Sequence, residues 1–252
     1  MSTSKIALVT GASRGLGRSM ARHLADAGVG VIGTYLSHPE EADRLVAELT
    51  PAGVPVAVLR LDVADSAGFA AFAAAVRGVL SRFGAERIDY LVHNAGSGVY
   101  APFAETTEAQ FDDMIAIHLK APFFLTQNLL PLIADGGAVL NVSSGLARFT
   151  GPGYAAYAAA KGAVEVLTRY QAQELGARRI RVNALVPGAI ATDFGGGLVR
   201  DDTHVNAAVA QAIALGRVGE PDDIGAAVPA ILSDALHWAT GTRIELSGGQ
   251  SL

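Results

Sequence analysis

The sequence predicts one α/β domain over residues 1–252, a doubly wound seven-stranded parallel sheet with helices on both faces. Three observations carry this expectation. Short β-type apolar runs alternate with longer stretches of helical period. A Gly-rich turn follows the first run directly. Half the residues are apolar and 17% are charged, the balance of a folded core rather than of a disordered chain.

In chain order, the strand of residues 5–10 contains the apolar run Ile6, Ala7, Leu8, Val9. Further strands are expected at 30–35, 56–61, 88–93, 137–142, 180–186 and 242–246. Between them, 14–27, 40–50, 66–83, 108–133 and 154–176 carry apolar residues at i, i+3 and i+4, as helices packed on a sheet do. Thr106 or Thr107 caps the fourth helix, and Pro221 after Glu220 opens a further helix at 222–232. Gly195, Gly196 and Gly197 follow the sixth strand and read as a mobile loop rather than a domain boundary. Strand–helix alternation of this kind implies right-handed crossovers and a Rossmann-type sheet.

The formal net charge of −5 supplies no basic field for a polyphosphate, so a nucleic-acid partner is not expected. The absence of cysteine removes disulfides, thiolate catalysis and thiolate metal sites, and no metal is expected. Residues 1–5 lead into the first strand without a long apolar stretch, and no run of about 18 apolar residues follows. A cytoplasmic enzyme without a membrane partner is the expectation.

Gly11, Ser13, Arg14, Gly15, Leu16 and Gly17 form the turn after the first strand. Glycines allow close backbone approach, and the helix N-terminus offers unpaired N–H groups and a positive dipole end to a pyrophosphate. The spacing is G-x-x-x-G-x-G. At the end of the second strand no carboxylate appears until Glu40, whereas Arg14 can pair with a 2′-phosphate and Ser37 or His38 can hydrogen-bond it. This favours NADP(H), with NAD(H) as the alternative.

Tyr157 and Lys161 stand at i and i+4 on one helix and share a face. A neighbouring ammonium favours the phenolate and brings the tyrosine toward its working range. Ser144, at the end of the fifth strand, is placed to hydrogen-bond a substrate oxygen. Tyr154 lacks a partner lysine, since its i+4 neighbour is Ala158.

With these motifs together, the chain resembles a short-chain dehydrogenase/reductase, of the branch containing 3-oxoacyl-carrier-protein reductases and glucose dehydrogenases, over about residues 5–249. The resemblance implies Ser144, Tyr157 and Lys161 as the catalytic triad, with Lys161 also holding the nicotinamide ribose. It assigns Asp62 and Val63 to adenine, Asn94, Ala95 and Gly96 to the cofactor beside the fourth strand, and Pro187, Gly188, Ile190 and Thr192 to the carboxamide. It also implies transfer of the pro-S hydride. One position departs: His118 stands where the family has a catalytic Asn that holds a water linking the lysine to solvent. Either His118 holds that water through a ring nitrogen and titrates near neutrality, or the relay runs through other water and backbone.

Residues 193–216 are expected to cover the substrate, with a short amphipathic helix near 204–215. Phe194, Leu198, Val199, Val99, Tyr100, Phe149 and Tyr154 make a largely apolar candidate pocket for a small carbonyl or alcohol. Arg178, Arg179 and Arg181 are the compact basic candidate for docking a carrier protein. The resemblance implies a homotetramer built on helices 108–133 and 154–176 and the C-terminal strand.

Overall fold

A computed structural model describes residues 5–252; residues 1–4, the start of both the expected domain and the segment leading into the first strand, lie outside the described residues. Strand β1 (Ile6–Val9) is buried at every position because its alternating side chains meet helices on both faces. Ala7 and Val9 join one apolar core, while Ile6 and Leu8 join the other. Six more parallel strands follow: β2 (Gly30–Tyr35), β3 (Val56–Arg60), β4 (Ile88–His93), β5 (Ile133–Val142), β6 (Arg181–Pro187) and β7 (Arg243–Leu246). Their order is β3-β2-β1-β4-β5-β6-β7.

Helices α1 (Gly15–Asp26), α2 (Pro39–Leu49), α9 (Pro221–Gly225) and α10 (Val228–Leu232) cover the first face, with Met20, Leu24, Leu45, Ile224 and Val228 in its core. Helices α3 (Phe69–Arg82) and α5 (Ala121–Leu129), with the distal part of α6 (Ala155–Leu175), cover the second, through Phe69, Leu80, Leu125, Leu129 and Ala172. Leu8 pairs with Ile32 on one side and Leu91 on the other. The strand order reverses at this point, which opens a crevice at the carboxyl ends of the strands.

Two expected helices are divided. The span 108–133 is α4 (Glu108–Ile115), a π turn over Ala116–Lys120, α5, and a 3-10 turn at Leu130–Leu132. Pro122 has no N–H to give the His118 carbonyl four residues back, which favours the wider turn there. Beyond it, Ile133 already pairs with Ile88, four residues before the expected start of β5, with an irregular register between. Residues 222–232 split into α9 and α10 because Pro229 withholds an N–H from the Gly225 carbonyl. The helix near 204–215 is α8 (Thr203–Gln211), preceded by the single turn α7 (Leu198–Asp201). The Asp202 carboxylate caps α8 by accepting from the N–H groups of His204 and Val205 at 2.9 and 3.0 Å. The expected caps form: Thr107 with Gln110 makes a reciprocal capping box, and at the start of α9 the Asp223 carboxylate accepts from the Glu220 N–H at 2.7 Å.

Candidate active site

The turn after β1 needs its glycines for different reasons. Gly11 and Gly15 have φ of +65° and +54°, a left-handed backbone that costs glycine little. At Gly17 a Cβ would stand 2.1 Å from the Gly11 oxygen and 2.5 Å from Asn94 Nδ2, so this position serves close packing of α1 on the turn. Asn94 Nδ2 donates to the carbonyls of Thr10 and Gly11 at 2.9 and 3.2 Å, and the Thr10 hydroxyl accepts from the N–H groups of Asn94 and Ala95, both at 3.0 Å. The ends of β1 and β4 are thereby tied beneath the free N–H groups of the first turn of α1.

A groove of about 700 Å³ runs along the carboxyl ends of the strands. It begins between Ser37, His38 and Arg14, passes Asp62, Val63 and the Gly11–Leu16 turn, then Asn94, Ala95 and Gly96, and reaches Ser144, Tyr157 and Lys161 opposite Pro187, Gly188, Ile190 and Thr192. His118 also lines it. Every expected site residue therefore faces this one groove except Gly17, which lies behind its wall. The carboxylates among the lining residues are Asp62 and Asp193, and neither belongs to the end of β2. Among the described residues the Arg14 guanidinium makes no ion pair, while the His38 ring faces Glu40 at 3.1 Å. A long groove with a helix N-terminus midway and an uncommitted guanidinium at one end fits a dinucleotide carrying an additional phosphate.

At the other end the reacting groups are buried. Lys161 Nζ donates to the Val142 carbonyl at 2.6 Å. Burial pulls its ammonium down to about 7. Burial pushes the Tyr157 phenol up to about 12, against the opposing influence of the Ser144 hydroxyl. The Tyr157 ring stands between two others: His118 meets it edge-on at 5.0 Å, and Phe194 at 5.5 Å.

His118 Nε2 lies 2.7 Å from the Ser97 carbonyl, which can only accept, so Nε2 carries the proton and Nδ1 the lone pair. The expectation that His118 titrates near neutrality is overturned: burial and the Lys161 charge pull it down to about 2, and it stays neutral. Its Nδ1 and the Asn141 Oδ1 are buried without a protein partner. Both residues line a cavity of about 10 Å³, the room of roughly one water, which Lys161 also lines. Asn141 Nδ2 is held by Thr168 and Gln171, both at 2.9 Å, which turns the amide so that Oδ1 points away from them.

Of the expected pocket residues, Phe149, Tyr154, Phe194 and Val199 line the groove, while Val99, Tyr100 and Leu198 do not. Tyr100 instead sits edge-on to Tyr154 at 5.5 Å. Gln250 is a wall residue that local sequence reading missed. Its Oε1 accepts from the Ala189 N–H at 2.8 Å. Ile213 bridges to Gln250 and brings the C-terminal segment to the Tyr157 end of the groove, with no local pattern announcing it. The Gly195–Gly197 segment is a tight turn in which all three glycines have positive φ.

The family model described as Enoyl-(Acyl carrier protein) reductase matches residues 11–251. The 3-oxoacyl-[acyl-carrier-protein] reductase FabG of Staphylococcus aureus is 36% identical over 251 residues, covering 99% of each chain. The tetrahydroxynaphthalene reductase PfmaG of Pestalotiopsis fici is 34% identical over 256 residues, covering 97% of this chain and 91% of its own. The crystal structure of landomycin C-6 ketoreductase LanV with bound NADP and rabelomycin superposes with a TM-score of 0.89 at 35% identity, over 99% of this chain and 97% of that one.

Proposed function

Since the chain belongs to the short-chain dehydrogenase/reductase family and is an oxidoreductase of ketoreductase type, we propose that it reduces a ketone to a secondary alcohol with NADPH. The observation that carries this reading is the buried Tyr157 phenol beside Ser144 and Lys161 at the end of the dinucleotide groove. Arg14, Ser37 and His38 would hold the 2′-phosphate, the turn from Gly11 to Leu16 the pyrophosphate, and Asp62 and Val63 the adenine. Asn94, Ala95, Gly96, Pro187, Gly188, Ile190 and Thr192 would hold the nicotinamide half. When bound there, the reduced nicotinamide supplies the hydride that the carbonyl carbon accepts.

Ser144 orients the carbonyl oxygen and stabilises its growing charge. Tyr157, a neutral phenol in this setting, is poised to give that oxygen a proton, which suits reduction better than oxidation. Lys161 stands one helical turn away and resupplies the proton. His118 holds, through Nδ1, a water that also reaches Lys161, which keeps the histidine in the relay as a neutral acceptor. NADP is named with the LanV ketoreductase, and a reductase activity with the FabG and PfmaG relatives, in support of this direction.

A homotetramer is part of the same reading. Phe111, Phe123 and Phe124 on α4 and α5, with Val166 and Tyr170 on α6, are exposed apolar side chains on the long helices. Trp238 and Leu252 add a second exposed apolar area toward the C-terminus. A cytoplasmic location is retained from the sequence reading; among the described residues no helix is long and apolar enough to cross a membrane.

Nicotinamide fluorescence is the test. NADPH is expected to bind more tightly than NADH, with the preference reduced at least about tenfold in Arg14→Ala, the worth of a charge-assisted contact. Tyr157→Phe is expected to bind NADPH normally and to lose turnover by about 10²-fold or more. Preference for NADH, or unchanged turnover in Tyr157→Phe, would refute the reading.

A further inference from the structure

The substrate end of the groove is walled by three aromatic rings, each backed by close packing. Phe194 presses on Gly98, where a Cβ would come within 2.7 Å of the ring, and also contacts the Tyr157 ring. Phe149 presses on Gly145, again at 2.7 Å from a built Cβ, with the Arg148 guanidinium 5.5 Å from its ring centre. That guanidinium is itself held by Glu245 and by the carbonyls of Gln250 and Ser251. Tyr154 is braced edge-on by Tyr100, whose ring leaves no room for a side chain at Gly153. Rings seated directly on backbone have little freedom to fold around a flexible chain, and they present rigid π-faces to a flat guest.

The lining carboxylate at this end is already paired. Asp193 is bound by Arg200, which also pairs with Asp201. Two of the three arginines considered for a carrier protein are committed elsewhere, and Arg179 is exposed without an ion pair among the described residues. Arg178 binds Asp135 and the carbonyls of Leu130 and Ile133, and Arg181 binds the carbonyls of Leu232 and Ser233. Arg181 begins β6 while Pro187, on the groove, ends it, which puts these cations about 20 Å from the reacting groups.

We propose that the substrate is an uncharged, planar, fused-ring aryl ketone, received between Phe149, Tyr154 and Phe194, and not a carrier-bound acyl chain. This rests on the reductase reading above. The carbonyl carbon gains a hydride from NADPH and its oxygen gains the Tyr157 proton, leaving a secondary alcohol and NADP⁺, with Tyr157 reprotonated through Lys161.

The test compares kcat/KM for 1-tetralone with that for an acetoacetyl thioester carried on an acyl carrier protein, both with NADPH. The native enzyme is expected to favour 1-tetralone. In Phe149→Leu and Phe194→Leu, which keep apolar bulk but remove the π-face, the tetralone-to-thioester ratio is expected to fall about three- to tenfold. Gly98→Ala keeps the Phe194 ring but displaces it, and is expected to lower the same ratio. NADPH binding, followed by fluorescence, establishes that each variant is folded. Preference for the thioester, or a ratio unmoved in all three variants, overturns the substrate class while leaving the reductase reading intact. Reduction of neither compound, with NADPH bound, overturns both.

Discussion

Tyr157 and Lys161 are displaced from their ordinary proton affinities in opposite directions by one cause, burial, which penalises phenolate and ammonium alike. The phenol at about 12 stays protonated, and the ammonium at about 7 exists below that pH and is lost above it. On the proposed reading ketone reduction draws a proton through this pair, so its kcat/KM is expected to fall as pH rises through about 7, and alcohol oxidation to rise over the same interval. Steady-state rates from pH 5 to 9 in both directions check this; a flat reduction profile would remove Lys161 from the relay. His118, held neutral by burial at about 2, contributes no limb to that profile. His118→Ala is expected to lower kcat about three- to tenfold, the worth of one hydrogen bond, with the limb unmoved. A limb lost in that variant would restore the histidine as a titrating group.

At the scale of elements, glycines at two helix positions have opposite meanings. Gly17 lies in the first turn of α1 against the Gly11 carbonyl and Asn94 amide, so Gly17→Ala forces α1 off the Gly11–Leu16 turn. It is expected to cost about 1–3 kcal/mol and to abolish NADPH binding. Gly78, inside α3, has nothing within 4 Å of a built Cβ. Gly78→Ala is expected to stabilise the chain by about 0.5–1 kcal/mol through helix propensity, with NADPH binding unchanged. Thermal melting with and without NADPH separates the two; equal shifts would mean that Gly17 is a propensity effect alone. The divided helices follow a related rule, because Pro122 and Pro229 each withhold one N–H and the chain adopts a π turn or a break there.

For the whole molecule, Phe124 on α5 and Tyr170 on α6 are exposed apolar side chains on helices of the second face, where the proposed tetramer would bury them. Sedimentation equilibrium is expected to return four times the chain mass of 25.8 kDa. Phe124→Asp and Tyr170→Asp are expected to divide that species into smaller ones by burying a charge at the contact. A monomer in the native protein would leave those side chains as simple surface residues.

Local order in the chain was enough for the sheet, because strands covered on both faces must be continuous apolar runs and crossover helices must repeat at 3.6 residues. Tyr157 and Lys161 were legible for the same reason, since i and i+4 share a helix face whatever surrounds them. The Gly11–Gly17 turn announced itself through backbone requirements that other residues meet poorly. Three properties depended on residues far apart in sequence and were decided only by the tertiary structure. His118 is neutral because burial and the neighbouring Lys161 charge outweigh the Ser97 carbonyl that favours its protonated form, although its ordinary affinity lies near neutrality. Gln250 reaches the groove because Ile213 pairs with it across the substrate segment. The aromatic walls are backed by main chain, with Phe194 and Phe149 resting on Gly98 and Gly145, and Tyr100 on Gly153. Period and spacing are properties of neighbours along the chain, whereas dielectric environment and side-chain confinement are properties of neighbours in space, which only the folded chain brings together.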